Sequence, residues 1–263
     1  MGESLGSKRN VAIVTGAGRG IGRAIALSLA AEGAAVGVFA RTPEEIAATA
    51  EQISEAGGRA LALSLDVRDA AAVRAAVSET EHQLGAVTLL VNNAGTPGPA
   101  GLDWQVNPEA WFECIDVIVR GAFLLSRAVL PGMIARGSGR IINIASITGT
   151  RPYPPITATS VAKTALIRFS EGLAVQLEAH GICVFAVHPG VVRTRLLESY
   201  GLRIPEARFV GPERAGSLCA RLASGRYDLL SGRFLGIDDD LDDLQSRVDD
   251  IKARELYTLR LNT

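Results

Sequence analysis

Short apolar segments recur along this chain, and segments with helical periodicity separate them. Seven such segments, each five to seven residues long, are almost continuously apolar. That character is typical of strands buried on both faces of a sheet, and helices between such strands connect them in parallel. We therefore predict an α/β fold with a doubly wound, seven-stranded parallel sheet and helices on both faces. The predicted strands are Val11–Thr15, Ala34–Ala40, Ala60–Leu65, Val87–Asn92, Arg140–Ala145, Ile182–Val187 and Arg233–Ile237.

The composition favours one globular domain. Of the 263 residues 48% are hydrophobic, and 27 Lys and Arg are balanced by 28 Asp and Glu, which excludes a disordered chain and an electrostatic nucleic-acid binder. No linker or internal repeat divides residues 1–263, so we predict a single domain. The N-terminal residues lack the apolar core of a signal peptide, and the weakly polar stretch from Ala24 to Ala40 is too short and broken to span a bilayer. We expect a cytoplasmic protein with no nucleic-acid or membrane partner.

The residues that most resemble a metal site have simpler explanations. Cys114, Cys183 and Cys219 lie in apolar segments without the spacing of a metal site, which favours reduced thiols. The acidic run at 238–243 precedes apolar residues at helical spacing, which indicates the start of a helix. We predict no metal site.

Two sequences predict helix starts. Thr42-Pro43-Glu44-Glu45 supplies an N-cap, a proline at the first helical position and Glu45 at the capping-box position, and Asn107-Pro108-Glu109 is similar. Loops rich in Gly and Pro at 95–101 and 149–155 follow predicted strand ends. Ligands of open α/β sheets bind beyond those carboxyl ends, so we expect the functional site there.

A glycine-rich turn, Thr15-Gly16-Ala17-Gly18-Arg19-Gly20-Ile21-Gly22, joins the first strand to a helix. Gly16 permits a tight turn, Gly20 lets the backbone approach a pyrophosphate, and the N–H groups at the helix start can bind the anion. The spacing departs from GxGxxG because Ile21 occupies the sixth position. By itself the turn is also compatible with an ordinary strand-to-helix connection.

This turn is one of five motifs that occur in the order and spacing of the short-chain dehydrogenase/reductase family. The others are Asp66-Val67, Asn92-Asn93-Ala94-Gly95, Ser146 with Lys163, and Pro189-Gly190-Val191-Val192-Arg193-Thr194. The chain resembles the family over about residues 8–237, which would form a Rossmann-type core, and residues 238–263 extend beyond it. We expect this extension to cover a neighbouring subunit.

The resemblance implies a nicotinamide dinucleotide at the carboxyl edge of the sheet. The residues implied at the phosphates are Gly16, Arg19, Gly20 and Ile21. Those implied at the adenine and the riboses are Asp66, Val67, Asn93, Ala94, Gly95 and Lys163. Those implied at the nicotinamide are Pro189, Gly190, Val192 and Thr194.

The residues after the second strand indicate which dinucleotide binds. NAD sites place a carboxylate on the ribose 2′-hydroxyl about twenty residues beyond the glycines. No acid occurs between Gly33 and Glu44, whereas Arg41 follows the strand and Arg19 lies in the turn. Two guanidinium groups can bind a 2′-phosphate through charge-assisted hydrogen bonds. NADP is therefore predicted in preference to NAD.

Two catalytic residues of the family are present and two are missing. Family members reduce carbonyls with a Tyr that donates a proton, a Lys that lowers its pKa, a Ser that orients the carbonyl and an Asn that supports a water relay. Ser146 and Lys163 match, but Thr159 occupies the Tyr position and Ile118 the Asn position. An aliphatic hydroxyl is a far weaker acid than a phenol of pKa about 10, so Thr159 is a poor substitute. Missing acid–base help would cost about 10²–10⁴-fold in rate.

Another protic group would have to replace the missing phenol. Tyr153, in the loop expected to border the substrate, is the first candidate, although it also suits a hydrophobic lid contact. His188 is the second, with a structural histidine as its alternative. Lys163, Tyr200 and Arg195 are weaker candidates.

The resemblance implies an NADP-dependent oxidoreductase acting on a carbonyl or alcohol of a small, fairly apolar molecule. A dehydratase, isomerase or cyclase of the same fold is one alternative, and a catalytically silent NADP-binding scaffold or regulator is another. Apolar helical patterns at 104–124 and 166–173 correspond to helices that pair subunits in the family. A homodimer or homotetramer is therefore expected.

Overall fold

Seven parallel strands form the central sheet of the computed structural model, which describes residues 10–261. The strands are β1 Val11–Thr15, β2 Ala35–Ala40, β3 Arg59–Ser64, β4 Leu89–Asn92, β5 Gly139–Ile144, β6 Ile182–His188 and β9 Phe234–Gly236. Their order across the sheet is β3-β2-β1-β4-β5-β6-β9, so the direction of winding reverses between β1 and β4. The short strands β7 Val191–Val192 and β8 Phe209–Val210 pair separately. All seven predicted strands are confirmed, with ends displaced by two residues at most.

Helices connect the strands and cover both faces of the sheet. They are α1 Gly20–Ala31, α2 Pro43–Glu55, α3 Ala70–Leu84, α4 Pro108–Ile115, α5 Gly121–Arg136, α6 Thr157–Leu177, α7 Arg195–Glu198, α8 Glu213–Ala223, α9 Leu241–Ser246 and α10 Val248–Ala253. A π-helical segment, Asp116–Arg120, joins α4 to α5.

The side chains of β1 show how the two helical layers share the sheet. Ala12 and Val14 are fully buried in a cluster with residues of α1 and α8, while Val11 and Ile13 are buried with residues of α3, α5 and α6. Alternate residues of one strand therefore contact helices on opposite faces, as the nearly continuous apolar sequence predicts.

The two predicted helix starts differ in how they are capped. The Asn107 side chain accepts a hydrogen bond from the Ala110 N–H at 2.8 Å, which confirms that N-cap. Helix α2 begins at Pro43 as predicted, but Thr42 makes no side-chain cap. The capping-box prediction for Glu45 is wrong, because its carboxylate pairs with arginines outside α2.

The continuous helical segment Pro108–Arg136 is long and apolar enough to cross a membrane by those two criteria alone. Here it packs as a core helix: Val117, Leu125, Val129 and Met133 are buried against the sheet and its neighbouring helices.

The C-terminal extension packs on its own subunit. Leu259 contacts the buried cluster of Ala145, Ile167 and Ala186, and its N–H donates to the Glu171 carboxylate at 2.6 Å. The Phe234 N–H donates to the Tyr257 carbonyl oxygen at 2.8 Å. These residues thus contact their own subunit, whereas Leu261 is 89% exposed, and coverage of a neighbouring subunit by the extension stays a prediction.

The acidic run at the start of the extension forms a helix start. The Asp240 side chain accepts hydrogen bonds from the N–H groups of Asp242 and Asp243, which caps α9. Leu241 and Leu244 are buried beneath it, as their helical spacing predicts.

Candidate active site

The glycine turn between β1 and α1 is fixed by side chains at the edge of the sheet. Asn93, just beyond β4, donates to the carbonyl oxygens of Thr15 at 2.8 Å and Gly16 at 3.2 Å. The Thr15 hydroxyl accepts hydrogen bonds from the N–H groups of Asn93 and Ala94, both at 3.0 Å. A Cβ at Gly22 would lie 2.2 Å from the Gly16 carbonyl oxygen, so this close packing requires glycine. The turn and the end of β4 therefore form one rigid unit.

The N-terminus of α1 is open to an anion. Arg19 occupies the N-cap position, where no side chain caps the helix, and the first turn contains no acidic residue. By contrast, Asp69 caps α3 through the N–H groups of Ala71 and Ala72. Gly20 has φ +53°, and a Cβ there would project to within 3.3 Å of the Thr194 methyl group. Unpaired N–H groups beside a glycine without a side chain suit the pyrophosphate of a dinucleotide.

Arg41 and Asp66 lie at the ends of neighbouring strands, where the adenosine is predicted. Arg41 is exposed directly after β2, and no carboxylate of residues 10–261 forms an ion pair with its guanidinium. Asp66 is held by Arg68, whose Nη2 lies 2.6 Å from Oδ2, and this hydrogen bond lowers the pKa of the Asp66 carboxyl. The region therefore offers one unpaired cation and one paired carboxylate.

Arg19, the second arginine predicted at the 2′-phosphate, already has a partner. Its Nη1 lies 2.9 Å from Oε1 of Glu45, and Arg195 Nη1 lies 3.1 Å from the same oxygen. Glu45 thus links the glycine turn to Arg195 at the start of α7, which lies 150 residues beyond Glu45 in the chain. No sequence pattern indicates this contact, because the residues next to Glu45 predict a capping box instead.

The loop after β6 brings the residues predicted at the nicotinamide over the same edge. Gly190 has φ +81°, and a Cβ there would lie 2.4 Å from Ile237, so the turn requires glycine. Val192 is buried and pairs with Val210, whereas the Thr194 hydroxyl accepts from the Leu197 N–H at 3.2 Å and caps α7. Pro189 precedes this turn directly.

Other predicted cofactor contacts lie where adjoining elements meet. Val67 is buried against α5, since a Cβ at Gly121 would lie 2.7 Å from its side chain. A Cβ at Gly95 would lie 3.7 Å from the Leu196 side chain, so the first turn of α7 is close to the end of β4. Ile21 is partly buried against the core beneath α1.

Ser146 and Lys163 lie on the loop after β5 and on the helix packed against that loop. The Ser146 hydroxyl accepts from the Thr148 N–H at 3.2 Å, and Lys163 Nζ donates to the Ile144 carbonyl oxygen at 2.5 Å. A Cβ at Gly149 would lie 2.7 Å from the Lys163 backbone, so this loop packs directly on α6. Burial lowers the pKa of Lys163 to about 8.

Thr159, which the resemblance to the family assigns to the position of its tyrosine, is buried in a hydroxyl and thiol cluster. Its Oγ1 lies 2.5 Å from the Tyr200 hydroxyl and 3.6 Å from Cys114 Sγ. Cys114 comes from α4, and Tyr200 comes from the turn after α7. Burial raises the pKa of both the Tyr200 phenol and the Cys114 thiol.

The match to known proteins covers most of the chain. A family model described as short chain dehydrogenase matches residues 10–203. The chain belongs to the short-chain dehydrogenase family. It is 37% identical over 220 residues to a putative ketoacyl reductase of Streptomyces coelicolor, covering 82% of this chain and 84% of that protein.

Solved structures of short-chain dehydrogenases have the same fold. A variant of the actinorhodin polyketide ketoreductase with NADPH superposes with a TM-score of 0.82 at 32% identity, covering 87% of this chain and 95% of that one. A gluconate 5-dehydrogenase from Burkholderia cenocepacia, in complex with NADP and tartrate, has a TM-score of 0.81 at 31% identity, covering 89% and 95%.

In this short-chain dehydrogenase Ile118 is buried among apolar side chains. Ile118 lies in the π-helical segment Asp116–Arg120, and only 3% of its surface is exposed. It packs in an apolar cluster whose other buried members are Cys114, Ala122, Ala158, Ala162 and Leu166. π-Helical segments are frequent at functional sites. The resemblance to the family assigns Ile118 to the position of its asparagine, and that assignment stays a prediction.

The two leading candidates for a replacement donor have contacts elsewhere. The Arg151 guanidinium lies 5.9 Å from the centre of the Tyr153 ring, and within residues 10–261 the Tyr153 hydroxyl has no hydrogen-bond partner. His188 stacks on Phe234 at 6.4 Å, and burial lowers its pKa. Neither side chain hydrogen-bonds to Thr159. Thr159 instead contacts Tyr200, which was a weaker candidate from the sequence than Tyr153 or His188.

Proposed function

We propose that this short-chain dehydrogenase is a cytoplasmic, NADP-dependent reductase of a carbonyl group in a small, fairly apolar molecule. The observation that carries the proposal is the open N-terminus of α1, where no side chain caps the N–H groups beside Gly20. A helix start without a cap or an acidic first turn favours a bound anion, and the fixed contact with Asn93 preorganises the turn. A dinucleotide pyrophosphate is the anion that fits a site at this edge of a doubly wound sheet.

Arg41 supports NADP as the form of the dinucleotide. The second strand ends in an unpaired guanidinium where an NAD site carries a carboxylate. A 2′-phosphate on the adenosine ribose would give Arg41 the charge-assisted partner that it lacks among residues 10–261. The similar proteins solved with NADPH and with NADP are consistent with this choice.

Ser146 and Lys163 support reduction of a carbonyl. NADPH would supply a hydride at this site. The Ser146 hydroxyl can donate a hydrogen bond to a carbonyl oxygen, and the Lys163 ammonium can hold the neighbouring ribose and stabilise negative charge that develops on that oxygen. The names ketoacyl reductase and ketoreductase, given to similar proteins, point to ketones.

A catalytically silent NADP-binding protein is the second candidate. The specific observation that favours it is the pair of replaced residues, Thr159 and Ile118, both of which are buried. The same cofactor site would then serve a scaffold or a regulator.

Two measurements on the purified protein separate these functions. Fluorescence titration measures NADPH binding, and the fall in nicotinamide absorbance with a panel of ketones and aldehydes measures turnover. Binding with consumption is the expected result. Binding without consumption across the panel would reject the reductase in favour of the silent protein, and absence of binding would reject both.

A matched pair of glycine variants tests whether the dinucleotide binds at the glycine turn. Gly20 and Gly57 both have positive φ, but a Cβ at Gly20 projects towards Thr194 whereas nothing lies within 4 Å of one at Gly57. Gly20→Ala should weaken NADPH binding at least about tenfold, equivalent to ~1.4 kcal/mol. Gly57→Ala should have the same backbone strain without that loss. Equal affinities of the two variants would contradict this location.

We also propose a homodimer or homotetramer. Large apolar side chains remain exposed on the helices that pair subunits in the family, among them Phe112, Phe123 and Val161, which are 63%, 50% and 47% exposed. Light scattering in solution gives the number of subunits.

A further inference from the structure

The Tyr200 phenol contacts α6 although it belongs to a different part of the chain. Tyr200 lies two residues beyond α7, and its hydroxyl is 2.5 Å from the Thr159 hydroxyl on α6. Thr159 and Lys163 are four residues apart on that helix, so they lie on the same face. The structure thus places a tyrosine hydroxyl against the helix position where the family carries its tyrosine.

The contact is a built part of the site. Tyr200 and Thr159 are 8% and 7% exposed, and Cys114 is fully buried beside them. Two neighbouring contacts hold the segment that carries Tyr200: Leu196 packs near Gly95, and Arg195 pairs with Glu45. The burial of Tyr200 and its contact with the Thr159 hydroxyl hold the phenol beside α6.

We propose that Tyr200 is the proton donor of this enzyme, supplied by the loop after β7 in place of the phenol that α6 lacks. The proposal rests on the proposed function, because it assigns the donor of that carbonyl reduction. Thr159 is then a positioning residue, since its hydroxyl can accept from Tyr200 or donate to it.

The reaction balances with groups already named. The carbonyl carbon gains the hydride that NADPH supplies, its C=O π bond breaks, and the carbonyl oxygen takes the proton of the Tyr200 hydroxyl. The products are an alcohol, NADP⁺ and a Tyr200 phenolate, which regains a proton from solvent.

Burial and the neighbouring Cys114 set the acidity of the Tyr200 phenol. Cys114 is the titratable group of α4 in contact with the cluster, and burial raises the pKa of the phenol itself. A phenol remains a far stronger acid than an alcohol, so it can still protonate the oxygen of a carbonyl that is being reduced. The raised pKa makes Tyr200 a weaker acid than a free phenol but leaves it protonated, and so able to donate, at neutral pH.

Kinetics of three variants test the assignment. Tyr200→Phe should lower kcat by about 10²–10⁴-fold and leave the NADPH dissociation constant within about twofold. Adding Thr159→Tyr to that variant should recover at least about tenfold of the loss, because the phenol then comes from α6. Tyr227→Phe is the matched control: Tyr227 is also buried, at 2% exposed, and its hydroxyl donates to Asp242 at 2.9 Å, away from the site.

Two kinetic outcomes would overturn the proposal. Full turnover by Tyr200→Phe would show that another group donates the proton. Loss of turnover in Tyr153→Phe would then identify Tyr153 as that donor. A loss in Tyr200→Phe that the double variant does not recover would assign Tyr200 a packing role.

Titration of the protein without cofactor provides a readout that needs no turnover. The near-ultraviolet difference between wild type and Tyr200→Phe isolates one phenol among the four tyrosines of the chain. That phenol should ionise above the ordinary value of 10.0, and Thr159→Val should shift its pKa. Ionisation at the ordinary value would contradict the burial of Tyr200 against Thr159 from which the proposal is argued, whether or not the enzyme reduces carbonyls. A shifted phenol in a protein that consumes no NADPH would instead count against the proposed function alone.

Discussion

Replacing Lys163 with methionine should make the protein more stable at neutral pH. Burial lowers the pKa of this lysine from 10.5 to about 8, so the ammonium is less favourable in the folded protein than in the unfolded chain. The difference corresponds to ~3 kcal/mol of unfolding free energy. Methionine keeps the apolar stem but loses the hydrogen bond to the Ile144 carbonyl oxygen, which costs about 1 kcal/mol. Lys163→Met should therefore stabilise the protein by about 2 kcal/mol.

The pH dependence gives this prediction its sign. Because the folded pKa lies below the unfolded one, Lys163 destabilises the fold fully below about pH 8, and progressively less as the pH rises towards 10.5. The advantage of the variant should therefore shrink over that interval and vanish or reverse above it.

Urea unfolding, followed by the fluorescence of Trp104 and Trp111, measures the difference at each pH. Lys252→Met is the matched control, because Lys252 is exposed on α10 and its replacement should change stability by less than about 0.5 kcal/mol. A Lys163→Met protein that is less stable than wild type at neutral pH, or whose advantage does not change with pH, would refute the reasoning. Confirmation would show that the site retains a cation at the expense of stability.

Two further predictions concern the charges around the dinucleotide. Arg41→Asp should weaken NADPH binding about 10–100-fold with little effect on NADH, since it removes charge-assisted hydrogen bonds to the 2′-phosphate; Arg127→Asp on the exposed face of α5 is the control, and equal losses for both would reject Arg41 as the selector. Glu45→Gln should tighten NADPH binding about threefold in calorimetry, because it releases Arg19 and Arg195 from an exposed ion pair worth under about 1 kcal/mol. Weaker binding by that variant would mean that Glu45 positions the arginines rather than competing for them.

Features that depend on residues close together in the sequence could be predicted well. The strands follow from short apolar runs, and Asn107 caps α4 as its position before Pro108 indicates. The order of motifs also placed Ser146 and Lys163 at the same edge of the sheet, where the structure packs the loop after β5 on α6.

Features that depend on where a loop lies could not be predicted. Tyr200 and Thr159 are 41 residues apart, and no periodicity in the sequence predicts that the turn after α7 contacts α6. Similarly, Glu45 does not form the predicted capping box because it pairs with Arg19 and Arg195, which the tertiary structure brings close to it. The sequence likewise does not reveal that Glu171, buried on α6, accepts the N–H of Leu259 in the extension.

Titration of the wild-type protein with NADPH and with NADH tests the central claim most directly. The open start of α1 and the unpaired Arg41 predict saturable binding of both, with NADPH bound more tightly by about tenfold or more. If neither NADPH nor NADH bound, the result would contradict the dinucleotide site proposed at this edge of the sheet. Tighter binding of NADH than of NADPH would contradict the role given to Arg41.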